Sequence, residues 1–338
     1  VQSVIALDGI ATSLRSSQWV TRGKGWKDAP VQCYTVHGAL TYRERFTGGM
    51  SMRESYLDIE GRRIWYSVYG VGAAGTPLLA VHGGPGFLSM PEVISDLSSA
   101  RPVYFYDQYG CGRSGRAADA SAYTMESYVE ELEQVRRELK LDDVFIMAFS
   151  WGTALACAWM LRKQPAGVKG LILCGPLLST PRWDADQREN ISRMPDAVRQ
   201  AIENGEAGAD YGDAYQDAMM AYYYRHVCRL QPWPDYLNEA LAQMNPDVYN
   251  TMWGPSEFTV TGTLRDLDLV PELHRITVPV LLVCGDNDEA GVKTVKDYQA
   301  AFPSAGMAVI PEASHLHHLE QPELFKAIVN GFMEAREQ

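Results

Sequence analysis

Hydrophobic positions along this chain switch between two periods. Short apolar and β-branched runs read as strands at residues 56–59, 64–68, 77–81, 103–106, 144–149, 168–174, 278–284 and 307–310. The first two flank the turn Glu60-Gly61-Arg62 and predict a hairpin. Between most of the others, apolar residues recur at helical spacing. One such helix runs from Thr124 to Leu139, with Glu126 in its first turn and basic residues in its last, as the helix dipole favours. Another follows Phe149, and an amphipathic helix from Pro322 to about Ala335 closes the chain. Strands alternating with helices predict an α/β domain with a mostly parallel eight-stranded sheet. The alternation lapses over residues 181–268, where aromatic, acidic and methionine residues sit at helical spacing. That stretch predicts an inserted α-helical cap, leaving residues 53–180 and 269–338 as the core.

Charge adds one boundary. Residues 1–52 hold six Lys and Arg against three Asp and Glu, whereas the remainder holds 24 against 39. The shift marks residues 1–52 as an extension, either appended and disordered or an arm packed on the domain. The net charge of −12 lacks the basic surplus that nucleic acid or an anionic membrane surface requires. No apolar run approaches the roughly 20 residues that span a bilayer, and no basic region followed by an apolar stretch opens the chain. The expectation is a cytoplasmic protein, with a monomer compatible with everything above. Cys33, Cys111, Cys157, Cys174, Cys228 and Cys284 lack metal-binding or redox spacing, and several fall within apolar patterns as small core residues.

The chemistry lies in two loops. His82-Gly83-Gly84-Pro85-Gly86 follows an apolar strand, and a glycine-rich turn stiffened by proline presents backbone N–H groups to a reacting atom. Downstream, residues 144–153 read as strand, sharp turn and helix, with Ser150 at the turn in the place of the serine of a G-x-S-x-G nucleophile elbow. Ala148 replaces the first glycine and meets the same demand for a small side chain. A serine hydroxyl needs a base, and the base needs an orienting carboxylate, in the chain order Ser, Asp, His. Asp286 and Asp288 follow the seventh strand; Asp288, three residues beyond the strand-ending Gly285, is the choice, and Asp286 caps the turn. His315 follows small turn residues after the eighth strand and is preferred as base over His317 and His318. These three histidines lack the spacing and further ligands of a metal site, so no metal is expected. His82 reads as structural, and His37, His226 and His274 carry no catalytic assignment. The backbone N–H groups of Gly84 and Trp151 form the expected oxyanion hole.

Taken together, residues 82–86, residues 106–114 (Tyr106-Asp107-Gln108-Tyr109-Gly110-Cys111-Gly112-Arg113-Ser114) and Ser150-Trp151-Gly152 resemble the proline iminopeptidase family of α/β-hydrolases. Residues 254–263 of the cap look like its archaeal tricorn-interacting branch. The similarity runs from about residue 54 to the end. It implies an α/β-hydrolase fold, no cofactor, and release of one N-terminal residue, often proline, from short peptides or amino-acid amides through an acyl-enzyme. It also implies recognition of the free amine by cap carboxylates, which map to Glu257 and, with a shorter side chain than the relative's glutamate, to Asp217. Trp151, Tyr222, Tyr223, Tyr224 and Trp253 are candidates for the side-chain pocket. An amidase or esterase acting on free amino-acid amides and esters uses the same machinery, and a non-catalytic binding protein is the remote alternative.

Overall fold

The computed structural model describes residues 32–36, 40–47 and 50–337, with side chains described from Met52 onward. One sheet organises the molecule. Its strands are β1 (Gln32–Val36), β2 (Leu40–Thr47), β3 (Met50–Ile59), β4 (Arg62–Tyr69), β5 (Leu78–Val81), β6 (Val103–Tyr106), β7 (Val144–Phe149), β8 (Val168–Cys174), β9 (Val280–Gly285) and β10 (Ala305–Ile310). They lie in the order β1-β2-β3-β4-β6-β5-β7-β8-β9-β10. From β6 to the β10 edge neighbouring strands are parallel; β1 to β4 are antiparallel, as is the β4–β6 pairing. Strands β3 to β10 supply the eight-stranded, mostly parallel sheet that the pattern predicts. Two more, β1 and β2, lie within the segment read as an extension, and their register opposes Arg43 to Glu54 and Glu44 to Arg53. Residues 1–31, with the remainder of the expectation for that segment, lie outside the described residues.

The central strands are buried on both faces, which is why they read as unbroken apolar runs. Along β7, Val144, Ile146 and Ala148 enter one hydrophobic cluster while Phe145 and Met147 enter the other. The first cluster is closed by α1 (Met125–Glu138) and α2 (Trp151–Lys163), the second by the C-terminal helix α10 (Pro322–Glu334), which contributes Phe325, Val329, Phe332 and Met333. Thr124 and Ser127 form a reciprocal capping box at the start of α1. Helix α2 is buried from Trp151 to Leu161 and rich in alanine, so it has no solvent face to mark with polar residues.

Between β8 and β9 the chain forms five helices: α3 (Thr180–Ser192), α4 (Asp196–Gly208), α5 (Asp213–His226), α6 (Asp235–Ala242) and α7 (Pro246–Met252). They enclose two clusters of their own, one around Ile202, Tyr215, Met219, Tyr222 and Phe258, the other around Trp233, Leu237 and Leu319. After β9, α8 (Val292–Ala301) leads into β10, and the short α9 (His317–Glu320) precedes α10.

Candidate active site

Strand β7 ends one residue before Ser150, whose backbone sits at φ 49°, ψ −123°. A non-glycine residue with positive φ is strained by about 1–3 kcal/mol, and the surroundings hold it there. Ser150 N–H donates to Cys174 O at 2.9 Å, while Thr153 donates to Ser150 O from its N–H at 2.8 Å and from its hydroxyl at 2.6 Å. Helix α2 passes so close to the glycine loop that a Cβ on Gly152 would stand 2.5 Å from Val81 O and 2.6 Å from His82 O. Glycine is therefore required immediately after the elbow.

A buried network ties the two loops together. His82 Nδ1–H donates to Gly83 O at 2.8 Å and Nε2 accepts from Gln108 N–H at 2.9 Å, which fixes the tautomer. Gln108 in turn donates to His82 O at 3.0 Å and accepts from Trp151 Nε1 at 3.0 Å. Burial pushes the His82 pKa below the ordinary imidazole value, so it stays neutral. Gly84, at φ +119°, lines the same cavity as Ser150. Trp151 opens α2, so its N–H is among those with no intrahelical acceptor.

Asp288 and His315 meet at the carboxyl ends of β9 and β10: His315 Nδ1 lies 2.7 Å from Asp288 Oδ1. Asp288 also accepts from Ala290 N–H at 3.0 Å and Gly285 N–H at 3.1 Å. Burial alone would raise its pKa, but the charge and hydrogen bond of His315, and then His317, hold it well below the usual carboxylate range. For His315 burial lowers the pKa, and the charges of Asp288 and then Glu257 more than reverse this. Asp286 is exposed and accepts from Glu312 N–H at 3.0 Å and Ala313 N–H at 3.2 Å, joining the β9 and β10 loops. His317 is buried 3.6 Å from the other Asp288 oxygen, and His318 packs against Phe149 with ring centroids 4.9 Å apart and the rings tilted by 51°.

Ser150 and His315 open onto a cavity of about 200 Å³. Glu257 lines it, accepting from the Tyr249 hydroxyl at 3.0 Å. So does Glu289, 3% exposed, whose Oε1 has no hydrogen-bond partner. Burial raises both carboxyl pKa values, and for Glu289 the nearby Glu257 raises it further. Asp217 does not join them. It is exposed on α5, because Tyr215, Ala218, Met219, Tyr222 and His226 form the buried stripe of that helix and residue 217 faces away. This corrects the expectation from the sequence: the second carboxylate in the cavity is Glu289. The signal for it was present, an acid directly after Asp288 in a loop at the strand end, but adjacency to Asp288 hid it. Of the candidate pocket aromatics, Tyr223 lines the cavity; Trp151, Tyr222 and Trp253 are buried in packed clusters, and Tyr224 is exposed.

His226 is a second residue the sequence did not single out. At the end of α5, its Nδ1–H donates to Asn287 O at 2.9 Å, and its carbonyl accepts from His315 N–H at 2.9 Å. Val227 O likewise accepts from Leu316 N–H at 2.8 Å. The last turn of α5 thus bridges the loops that carry Asp288 and His315. Burial lowers the His226 pKa to about 4.

The model of the α/β hydrolase fold family matches residues 76–322. The proline iminopeptidase of Heyndrickxia coagulans is 37% identical over 283 residues, covering 83% of this chain and 98% of that protein. That of Thermoplasma volcanium is 34% identical over 287 residues, covering 83% of this chain and 96% of that protein. Among solved structures, the proline iminopeptidase of Mycobacterium smegmatis superimposes with a TM-score of 0.78 at 32% identity, covering 84% of this chain and 98% of that one. VinJ superimposes with a TM-score of 0.80 at 31% identity, over 83% of this chain and 98% of its own.

Proposed function

We propose, because this chain belongs to the proline iminopeptidase family of α/β-hydrolases, that it is a serine aminopeptidase releasing an N-terminal proline or other apolar residue. Ser150 Oγ attacks the carbonyl carbon next to the free amine and passes its proton to His315 Nε2. Asp288 holds His315 Nδ1–H, which fixes the tautomer and stabilises the imidazolium. The tetrahedral oxyanion is received by the N–H groups of Gly84 and Trp151, each donor worth on the order of 3 kcal/mol in the transition state. His315 then protonates the leaving amine, the carbon–nitrogen bond breaks, and an acyl ester remains on Ser150. Water attacks that ester, giving its proton to His315, and the free amino acid departs as Ser150 recovers its hydrogen.

The observation that carries the amine specificity is the pair of cavity carboxylates. Glu289 has a buried oxygen with no partner beside Glu257, and buried carboxylates that lack a cation are costly unless protonated or paired. A substrate ammonium supplies the missing charge and donors. Burial raises both carboxyl pKa values, and a bound ammonium favours their ionised forms. Glu289, and not the exposed Asp217, joins Glu257 in receiving the amine.

Among the described residues no helix is long and apolar enough to cross a membrane. The five cysteines whose side chains are described are free and buried, which suits the reducing cytoplasm in which the enzyme is proposed to work. Hydrolysis of proline, alanine and phenylalanine arylamides by the wild type and by Ser150→Ala tests the proposal. Turnover of at least one substrate that Ser150→Ala abolishes, with an unchanged circular dichroism spectrum, supports it; retained activity in the variant removes Ser150 as nucleophile.

A further inference from the structure

The cavity lining is of two kinds. Glu257 and Glu289 give it two acids, beside the phenols Tyr223 and Tyr249. Phe87, Met90, Trp233, Leu237, Leu241 and Met244, from the loop after β5 and from α6 and its flanks, give it an apolar wall. Among the described residues none that lines the cavity is a lysine or arginine. The arginine behind the wall, Arg113, is committed elsewhere: it pairs with buried Asp107 at 2.6 Å, donates to Ser89 O at 3.2 Å and stacks on Trp65 at 3.4 Å. Two hydroxyls of the lining already donate elsewhere, Ser89 to Asp107 at 2.7 Å and Tyr249 to Glu257; Ser256 and Asn250 are neutral donors that remain.

A free dipeptide carries its C-terminal carboxylate one residue beyond the scissile bond, which puts a second anion in this same space. No lysine or arginine in the lining pairs with it, apolar side chains strip its water, and Glu257 and Glu289 repel it. An ammonium beside the carboxylates and an uncharged leaving group fit the lining as it stands.

We infer that the preferred substrates are amino-acyl compounds whose leaving group is uncharged and apolar: amides, arylamides, esters or blocked peptides, with free dipeptides disfavoured. This rests on the aminopeptidase reading above and refines it by defining the leaving group. The penalty is graded. Each added residue carries the carboxylate up to about 3.5 Å further out, so discrimination against the free acid shrinks from dipeptide to tripeptide to tetrapeptide.

The test compares kcat/KM for prolyl-phenylalanine with that for prolyl-phenylalanine amide at neutral pH, and repeats the comparison for Gly-extended peptides. Calorimetric binding of the same dipeptide pair to Ser150→Ala reads the discrimination without the chemical step. The amide is expected to exceed the free dipeptide by at least about tenfold in both measurements, with the ratio falling as the peptide lengthens. Equal or better use of the free dipeptide, or a ratio independent of length, overturns the inference. N-acetylprolyl-phenylalanine amide separates the two claims. If it is cleaved as well as the free amine while amidation still matters, amine recognition falls and the leaving-group inference stands.

Discussion

His226 Nδ1–H donates to the carbonyl of Asn287 across 2.9 Å, so the last residue of α5 holds the loop that carries Asp288. The same residue's carbonyl accepts the N–H of His315. Helix α5 and the Asp288–His315 pair are therefore one hydrogen-bonded unit. Replacing the imidazole leaves the Asn287 carbonyl short of a donor, a loss of about 1–3 kcal/mol.

His226→Ala is expected to lower kcat/KM by roughly tenfold or more, since 1.4 kcal/mol corresponds to a factor of ten. His226→Gln, which keeps a donor, should recover part of that loss. A kcat effect that tracks only the fall in melting temperature, with no rescue by glutamine, would make His226 a packing residue alone.

The acid limb of the pH profile follows from the charges around His315. The base must be neutral to accept the serine proton, and Asp288 with Glu257 holds its pKa above the ordinary imidazole value of 6.5 despite burial. The rise in kcat/KM is therefore expected above that pH. Glu257→Gln removes one negative neighbour and should move the limb to lower pH, while Asp288→Asn should lose on the order of 10⁴-fold in kcat through the wrong tautomer. A limb that stays in place in Glu257→Gln would show that this carboxylate does not face the imidazole.

The two carboxylates assigned differently by sequence and by structure give a direct contrast. Glu289→Gln should depress kcat/KM for free-amine substrates by at least tenfold, as loss of a buried charge partner does. Asp217→Asn, on an exposed helix face, should leave activity and stability within about 0.5 kcal/mol of wild type. The reverse pattern would restore Asp217 as the ligand.

Glu131 offers a stability test away from the site. It is 1% exposed and accepts from Tyr109 N–H at 3.1 Å, yet burial pushes its pKa up from 4.5 to about 8. The folded protein then holds a proton that the unfolded chain releases, so this contribution to stability is fully present below about pH 4.5 and is lost as pH rises through about 8. Glu131→Gln, which keeps an acceptor and cannot ionise, should raise the melting temperature at pH 8–9 by several degrees more than at pH 5. An equal shift at both values would mean that Glu131 is ionised throughout.

The sequence made the chemistry legible wherever local backbone demands restrict the residue type. The glycine run 82–86, the small residues around Ser150 and the acid and histidine at two strand ends each answer a geometric need that can be read without the fold. Asp286 was separable from Asp288 on spacing, and it caps the loops as expected. Of the two carboxylates that line the cavity only Glu257 was legible, because finding the other depends on which side of α5 faces inward and on a neighbour of Asp288 that has no motif of its own. Strand β2 was not legible because Arg43, Glu44 and Arg45 interrupt the apolar alternation that marks a strand. The bridge from His226 to the loops carrying Asp288 and His315 joins residues 61 and 89 positions apart, beyond any periodicity.

Recognition of a free amine by Glu257 and Glu289 in front of Ser150 is tested most directly by kcat/KM for prolyl arylamide against N-acetylprolyl arylamide across pH. Acetylation removes the positive charge and leaves the scissile bond and leaving group unchanged. The free-amine substrate should be preferred by at least about 10³-fold, consistent with the several kcal/mol of a broken buried ion pair, and its profile should fall again as the amine deprotonates near pH 8 or above. Comparable hydrolysis of both substrates, with no alkaline fall for the free amine, would contradict amine recognition and leave a general amidase or esterase.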